Sequence, residues 1–340
     1  MIRLITLREW LGKDALPEKK KALKTIKLLF LLALFIGLFL VIPIQDVVGV
    51  ISSAHPGLLA IGLLLGLPMV YINAYELGLL TRKQGVSIPS LKLFAIHLVV
   101  KFYQLFLPGA IIGSGIRWLR ISPRGKSIET LAAMAFYRLL DVFTVIAVGV
   151  FWFITGTSQV DMNPWTIGLF FMGIAMMWLS LTKGSLRIAK WLEQRSYSGP
   201  GRPAFQVIRH YGERMVKSMA SYADLTLREL STLVGAEILS DLVSLISYMF
   251  IARSVGIEIS IANLGWMRSV FLLASLTPLT FAGGIGIREV SFVIMMSAFD
   301  ISPEVALAFS LLLFCRTLFL SLTGGFIELA ETISSRLKSI

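Results

Sequence analysis

Two short stretches of this chain, Gly113-Ser114-Gly115-Ile116-Arg117 and Gly284-Ile285-Gly286-Ile287-Arg288, are copies of one pattern 171 residues apart. At this offset, residues 82–117 and 253–288 match without a gap at 10 of 36 positions. Roughly three matches would be expected by chance in so apolar a composition, so we infer an internal repeat. The repeat predicts the fold, because duplicated apolar units with glycine-broken helices are a common architecture of membrane transporters.

The composition indicates an all-α integral membrane protein. Of the 340 residues, 56% are hydrophobic and 15% charged, and the mean hydropathy is +0.79. Such a chain faces lipid over much of its surface. Apolar stretches occur at 28–44, 57–80, 91–107, 108–119, 130–155, 163–181, 230–252, 262–299 and 305–330.

The basic residues are concentrated beside the apolar stretches. Segment 1–27 has eight Lys or Arg against three acids, and segment 182–229 has nine against four. By the positive-inside rule both segments are cytoplasmic. We expect a multi-pass protein of the plasma (cytoplasmic) membrane with both termini in the cytoplasm. The net charge of +12 fits anionic lipid, and we expect no nucleic-acid partner.

Two apolar stretches are predicted to be re-entrant hairpins. The half-helices on either side of Pro108-Gly109 are about 20–27 Å long, so that together they can enter the bilayer and return on the same side. The second hairpin, 262–299, is then predicted to enter from the opposite side. The sequence therefore predicts about six full spans plus two re-entrant helical hairpins.

An odd number of spans between the hairpins turns the second copy upside down, so we predict an inverted repeat. The predicted domains are a basic N-terminus with a leading helix (1–56), repeat unit one (57–155), a linker span with a basic amphipathic segment (156–229), and repeat unit two with the C-terminal tail (230–340). Residues 45–56 and 156–162 are predicted turns.

The glycine-arginine pattern predicts an anion site. Glycines permit the turn, and the second half-helix is expected to begin around Gly113 or Gly284, which directs free N–H groups toward the membrane centre. An arginine two to four residues further on adds bidentate contacts to a phosphate. The predicted headgroup ligands are Arg117, Arg288, Gly113, Gly115, Gly284 and Gly286. The alternative is that the glycines serve helix packing and that the arginines pair with acids or reach an interface.

Other ionisable residues lie within apolar stretches, where charges usually have a function. Arg138 and Asp141 share a helix face and can neutralise each other. Glu237 and Asp241 would repel each other unless a cation, proton or arginine intervenes. The expected cavity charge network consists of Arg138, Asp141, Glu237, Asp241, Glu289 and Arg316. Glu76, His97 and Lys101 are each predicted to be solvated or packed.

Metal and thiol chemistry are not expected. The single cysteine, Cys315, cannot form an intramolecular disulfide or a thiolate metal site. The three histidines lack the spacing of a zinc site. We expect no cofactor and no metal.

Several elements together resemble the transmembrane family of lysylphosphatidylglycerol synthase: residues 108–117, the Arg138-Leu139-Leu140-Asp141 helix, residues 277–289, and Arg316 with Gly324-Gly325. Relatives commonly carry Gly-Gly-Asp before the first arginine, whereas this chain has Gly113-Ser114-Gly115. The resemblance implies a lipid translocase, flippase-like, that moves an anionic phospholipid or an isoprenoid-linked glycan. It also implies a possible separate lipid-synthesising enzyme as partner, and a homodimer is possible.

Two other functions stay open at this point. A membrane-embedded glycosyltransferase or lipid-modifying enzyme is one, although the chain has no Asp-x-Asp pair for a sugar-transferring metal. A scaffold that binds a lipid synthase through its basic linker is the other. Because no soluble synthase domain is present in this sequence, we expect a transporter and not an enzyme.

Overall fold

The computed structural model describes residues 44–106, 110–123, 125–156, 203–275 and 286–337, together with 184 and 187. Within these ranges the chain is helical and has no strand. The helices are α1 (Ile44–Ser52), α2 (Pro56–Leu64), α3 (Gly66–Lys83), α4 (Ser90–Phe106), α5 (Ala110–Ile121), α6 (Ser127–Gly156), α7 (Pro203–Ala220), α8 (Leu227–Ser254), α9 (Ile261–Ala274), α10 (Ile287–Ser297) and α11 (Pro303–Leu337).

Among the described residues, four helical segments are long and apolar enough to cross a membrane, which confirms an all-helical integral membrane protein. They are Pro56–Lys83, Ser127–Gly156, Leu227–Ser254 and Pro303–Ser334, and they contain the predicted spans 57–80, 130–155, 230–252 and 305–330. The predicted span 163–181, and the span 28–44 apart from Ile44, lie outside the described residues, so the total of six stays a prediction.

The predicted turn at 45–56 is wrong over most of its length, because α1 occupies Ile44–Ser52. The helix has an acid, Asp46, in its first turn, where a negative charge favours the helix dipole. Val47 is buried against Leu307 and Ala308 of α11. This packing against α11 stabilises a segment that is too short to be helical by itself.

The first long helices of the two repeat units, α2–α3 and α8, pack against each other and run antiparallel. As the residue number rises along α2–α3, the number of its partner in or beside α8 falls. The contacts are His55 N–H to Ser254 O at 2.8 Å, Ser247 Oγ to Gly62 O at 2.6 Å, Ser240 to Asn73, and Lys83 Nζ to Asp224 O at 3.2 Å. An inverted repeat requires this antiparallel arrangement of its equivalent helices.

The two hairpins begin at opposite ends of this helix pair. Lys126, at the end of the first hairpin, donates from Nζ to the carbonyl of Gly85 at its start, 2.8 Å away. The second hairpin begins and ends near Ile257 and Ile301, which share one apolar cluster at the end where α8 stops. Each hairpin thus leaves and returns at one end of the bundle, while its re-entry into a bilayer stays a prediction.

Packing between the units is reciprocal. Helix α9 of the second hairpin packs on α6 of unit one, and helix α4 of the first hairpin packs on α11 of unit two. Both contacts need a glycine. A side chain at Gly324 would collide with the carbonyl group of Leu98, and one at Gly265 would lie 2.6 Å from the ring of Trp152. Glycine permits these close helix crossings because it has no Cβ.

The predicted starts of the second half-helices were wrong in opposite directions. Helix α5 begins at Ala110, before Gly113, and helix α10 begins at Ile287, after Gly284. Arg117 therefore lies well inside α5, whereas Arg288 is the second residue of α10. The turns themselves, with Pro108, Gly109 and Gly284, lie outside the described residues.

Candidate functional site

The second hairpin holds its arginine in a complete set of partners. Arg288 donates from Nη2 to Glu289 Oε1 at 2.6 Å and from Nε to Ser310 Oγ at 3.2 Å, and its guanidinium lies 5.5 Å from the ring centre of Phe314. Both charged side chains are almost fully buried, at 2% and 1% exposure. An anion at Arg288 would therefore have to compete with a carboxylate already in place.

Glu289 has a second role at the start of α10. Its Oε2 accepts the backbone N–H of Gly286 at 2.5 Å, which satisfies a donor that the helix start leaves free. Gly286 has a φ of 91°, a conformation that glycine adopts without strain. The predicted ligands Gly286 and Arg288 thus form a closed cap together with Glu289.

The first hairpin holds its arginine without any such partner. Arg117 forms no ion pair or hydrogen bond with the residues that the structure describes, and its Nε is buried. The residue at the position equivalent to Glu289 is Trp118, whose indole donates to Ser127 O at 2.7 Å. Gly113 lies against the Gln104 side chain, whereas the space beside Gly115 is open.

Two further cations lie near Arg117. Lys101 of α4 is partly buried and is repelled by both Arg117 and Arg316. Arg316 of α11 is 7% exposed and forms no ion pair with a described carboxylate. We call Lys101, Arg117 and Arg316 the cationic cluster. It brings together both arms of the first hairpin and the last span of unit two.

Arg316 is held by weaker contacts than an ion pair. Its Nη2 lies 3.0 Å from the sulfur of Met69, its guanidinium lies 5.6 Å from the ring centre of Tyr248, and its Nε has no partner in the described chain. Thioether sulfur is a weak acceptor and a ring face attracts a cation only modestly. Arg316 is therefore able to bind an anion.

A second arginine, Arg268 of α9, lies on the same tyrosine and was missed by sequence reasoning. Its guanidinium is 5.8 Å from the ring centre of Tyr248, its Nη1 binds Asp241 Oδ1 at 2.5 Å, and its Nε binds Ser244 Oγ at 3.2 Å. A signal was present, because Arg268 is an ionisable residue in an apolar stretch and aligns with His97 in the repeat.

Arg268 explains how Asp241 tolerates a neighbouring acid, since an arginine intervenes there. Glu237 has a different partner: its carboxyl group lies within hydrogen-bonding reach of Glu76 on α3. Glu76 is fully buried, and neither of its oxygens meets a donor among the described residues. The prediction that Glu76 is solvated or packed missed this contact between the two repeat units.

Unit one contributes a further acid. Asp141 forms an ion pair with Arg138, as their spacing predicts. Asp141 also acts electrostatically on Glu76, on Glu237 and on Arg117. We call Glu76, Asp141, Glu237 and Asp241 the carboxylate cluster. Through Asp141 it acts on Arg117 of the cationic cluster.

The single network expected from the sequence is thus divided. Arg288 and Glu289 pair with each other, Arg138 pairs with Asp141, and Arg316 pairs with none of the predicted acids. His97, aligned with Arg268, lies beside the cationic cluster with Nδ1 2.8 Å from Leu93 O. No group of three or more potential metal ligands occurs in the described part of the chain.

Comparison with known proteins identifies a family for this chain. The family model of the lysylphosphatidylglycerol synthase TM region matches residues 26–325, which is most of the chain. No curated protein and no solved structure matches it. Because the match covers both repeat units and both clusters, the chain belongs to the family of the lysylphosphatidylglycerol synthase transmembrane region.

Proposed function

We propose that this protein is a translocase that moves an anionic lipid headgroup between the leaflets of the plasma membrane. The observation that carries the proposal is the cationic cluster, in which Lys101, Arg117 and Arg316 lie together without a described carboxylate partner. The family links the chain to lipid modification or translocation. The protein binds the headgroup and releases it unchanged.

The energetics of the cluster favour a ligand. An unpaired charge in a protein interior costs several kcal/mol in lost hydration, and three like charges add their repulsion. A phosphate carries negative charge and several acceptor oxygens, and arginine binds it through two parallel N–H bonds. The headgroup of an anionic phospholipid or of an isoprenoid-linked glycan supplies this phosphate.

The fold suggests how such a headgroup is passed from one side to the other. The cationic cluster combines the first hairpin, through Lys101 and Arg117, with α11 of the other unit, through Arg316. Rocking of the inverted units against each other opens the cluster alternately to each side. In this proposal Arg288 and Glu289 hold the second hairpin rigid and do not bind the headgroup.

The test is headgroup movement in liposomes that contain the purified protein and a fluorescent lipid. A panel of anionic and neutral lipids, including an isoprenoid-linked phosphate, is compared for the natural sequence and for Arg117→Gln, Lys101→Gln and Arg316→Gln. We expect protein-dependent movement of an anionic class and at least a tenfold loss in each variant, since an Arg-phosphate contact contributes roughly 1.5–3 kcal/mol.

The matched control is Arg253→Gln, which removes an exposed arginine at the end of α8 and is expected to leave movement unchanged. Movement of anionic lipid that survives all three cluster variants would contradict the assignment of the site. If the folded protein moved no member of the panel, the translocase would be contradicted. Conversion of the lipid would favour an enzyme, and co-purification of a lipid synthase would favour a scaffold.

A further inference from the structure

We infer that Glu76 and Glu237 form a proton-binding pair that couples headgroup movement to a proton gradient. This inference rests on the proposed function, because it names the proton as the ion that drives headgroup movement. The two carboxyl groups face each other across the contact between α3 and α8, within hydrogen-bonding reach. A carboxylate can only accept a hydrogen bond, so a bond between two carboxyl groups requires a proton on one of them.

Because the pair is buried, water cannot hydrate both carboxylates and stabilise them as ions without a proton. Glu76 is fully buried, with both oxygens lacking a described donor, and Glu237 is 7% exposed. Two ionised carboxylates in contact inside a protein repel each other strongly. The unpartnered side chain of Glu76, directed at Glu237, is thus best accounted for by a bound proton.

The nearby arginines are engaged elsewhere. Arg268 is held by Asp241 and Ser244, and Arg138 by Asp141. The groups that face the pair are Tyr137, Arg138 and Asp141 of α6, Asp241 of α8 and Arg268 of α9. The other nearby ionisable groups are engaged elsewhere: His97 of α4 contacts Leu93, and Arg316 of α11 contacts Met69 and Tyr248. The two facing acids, Asp141 and Asp241, are each balanced by an arginine, so no cation is left to neutralise the Glu76–Glu237 pair itself.

The Glu76–Glu237 pair is placed to act both on the headgroup site and on the contact between the two repeat units at α3 and α8. Asp141 and Tyr137 act on Arg117 as well as on the pair, so charge at one site affects the other. An anion bound at Arg117 adds negative charge nearby and therefore strengthens proton binding, and the proton strengthens anion binding to the same extent. The proton enters from water on one side and leaves to the other side together with the headgroup.

Infrared spectroscopy of the purified protein at neutral pH tests for the bound proton without requiring transport. A buried protonated carboxyl group has a carbonyl stretching band that an ionised carboxylate lacks. We expect this band in the natural sequence and in Glu258→Gln, which removes an exposed carboxylate, and its loss in Glu76→Gln and in Glu237→Gln. If the natural protein lacked the band, or if both variants kept it, the inference would be overturned.

A gradient experiment in the same liposomes tests the coupling. A pH gradient is expected to drive anionic headgroups toward one leaflet in the natural protein and in Glu258→Gln. In Glu76→Gln, whose amide cannot release a proton, the gradient is expected to drive no net movement. Natural protein that moves lipid equally with and without the gradient, or that responds only to sodium, would overturn the coupling and leave the translocase intact. Absence of all lipid movement would instead contradict the translocase.

Discussion

The two hairpins of this protein carry equivalent arginines in opposite situations. Arg288 is bound by Glu289 and Ser310 and is buried completely, whereas Arg117 meets no described partner and lies beside two other cations. The two copies of the motif therefore lie in different surroundings. One copy closes a helix cap, and the other leaves positive charge available for a ligand.

The difference follows from one residue in each copy. Glu289 comes directly after Arg288, whereas the equivalent position after Arg117 is Trp118. Arg117 therefore has no adjacent carboxylate in the sequence. In the proposed function, the first hairpin therefore binds the ligand and the second supports the fold.

Among substitutions that test the difference between the hairpins, Glu289→Gln is expected to change the unfolding free energy most. The amide keeps the shape and can still accept the Gly286 N–H, but Arg288 becomes a buried charge without a counter-ion. Removing one partner of a buried pair costs about 3–5 kcal/mol. The unfolding free energy in detergent should fall by this amount, whereas Glu258→Gln should leave it unchanged. A loss below about 0.5 kcal/mol would show that the pair contributes little.

A second effect is expected at the glycine that begins α10. Gly286 has a φ of 91° and a ψ of −62°, so alanine there would be strained by about 1–3 kcal/mol. Thermal unfolding should report the loss as a lower midpoint for Gly286→Ala. An unchanged midpoint would mean that α10 can begin in another conformation.

The smallest effect, and of opposite sign, is expected at the equivalent glycine of the first hairpin. Gly115 lies within α5, and no atom lies within 4 Å of the place where its Cβ would be. Alanine at an interior helix position is favoured over glycine by roughly 0.5–1 kcal/mol. Gly115→Ala should therefore unfold at the same temperature or slightly higher. A clear decrease would show that the space beside Gly115 is filled in the folded protein.

Much of the fold was predictable because lipid imposes simple rules on sequence. Long apolar stretches predicted the four described helices that are long enough to span a membrane. The inverted repeat predicted opposite directions for the first helices of the two units, but not that α3 and α8 pack against each other. The helix ends in the hairpins were less predictable. Glycine is compatible with both a helix interior, as at Gly113, and a helix cap, as at Gly286.

The site was predictable in its residue types but not in its pairing. Sequence spacing found Arg138 with Asp141, because both lie on one helix. It did not find Arg268 with Asp241, or Glu76 with Glu237, because these contacts join helices far apart in the chain. Which buried charge is neutralised depends on helix packing, which local periodicity does not report.

The most direct test of the central claim is a paired measurement on Arg117→Gln and Arg288→Gln in neutral detergent and in liposomes. We predict that Arg117→Gln unfolds at or above the natural temperature but loses headgroup movement at least tenfold, because it removes an unpaired charge that binds the ligand. Arg288→Gln should unfold at a lower temperature, because it leaves Glu289 buried without its partner. Equal destabilisation by the two variants, or headgroup movement that survives Arg117→Gln, would contradict the division of roles between the hairpins.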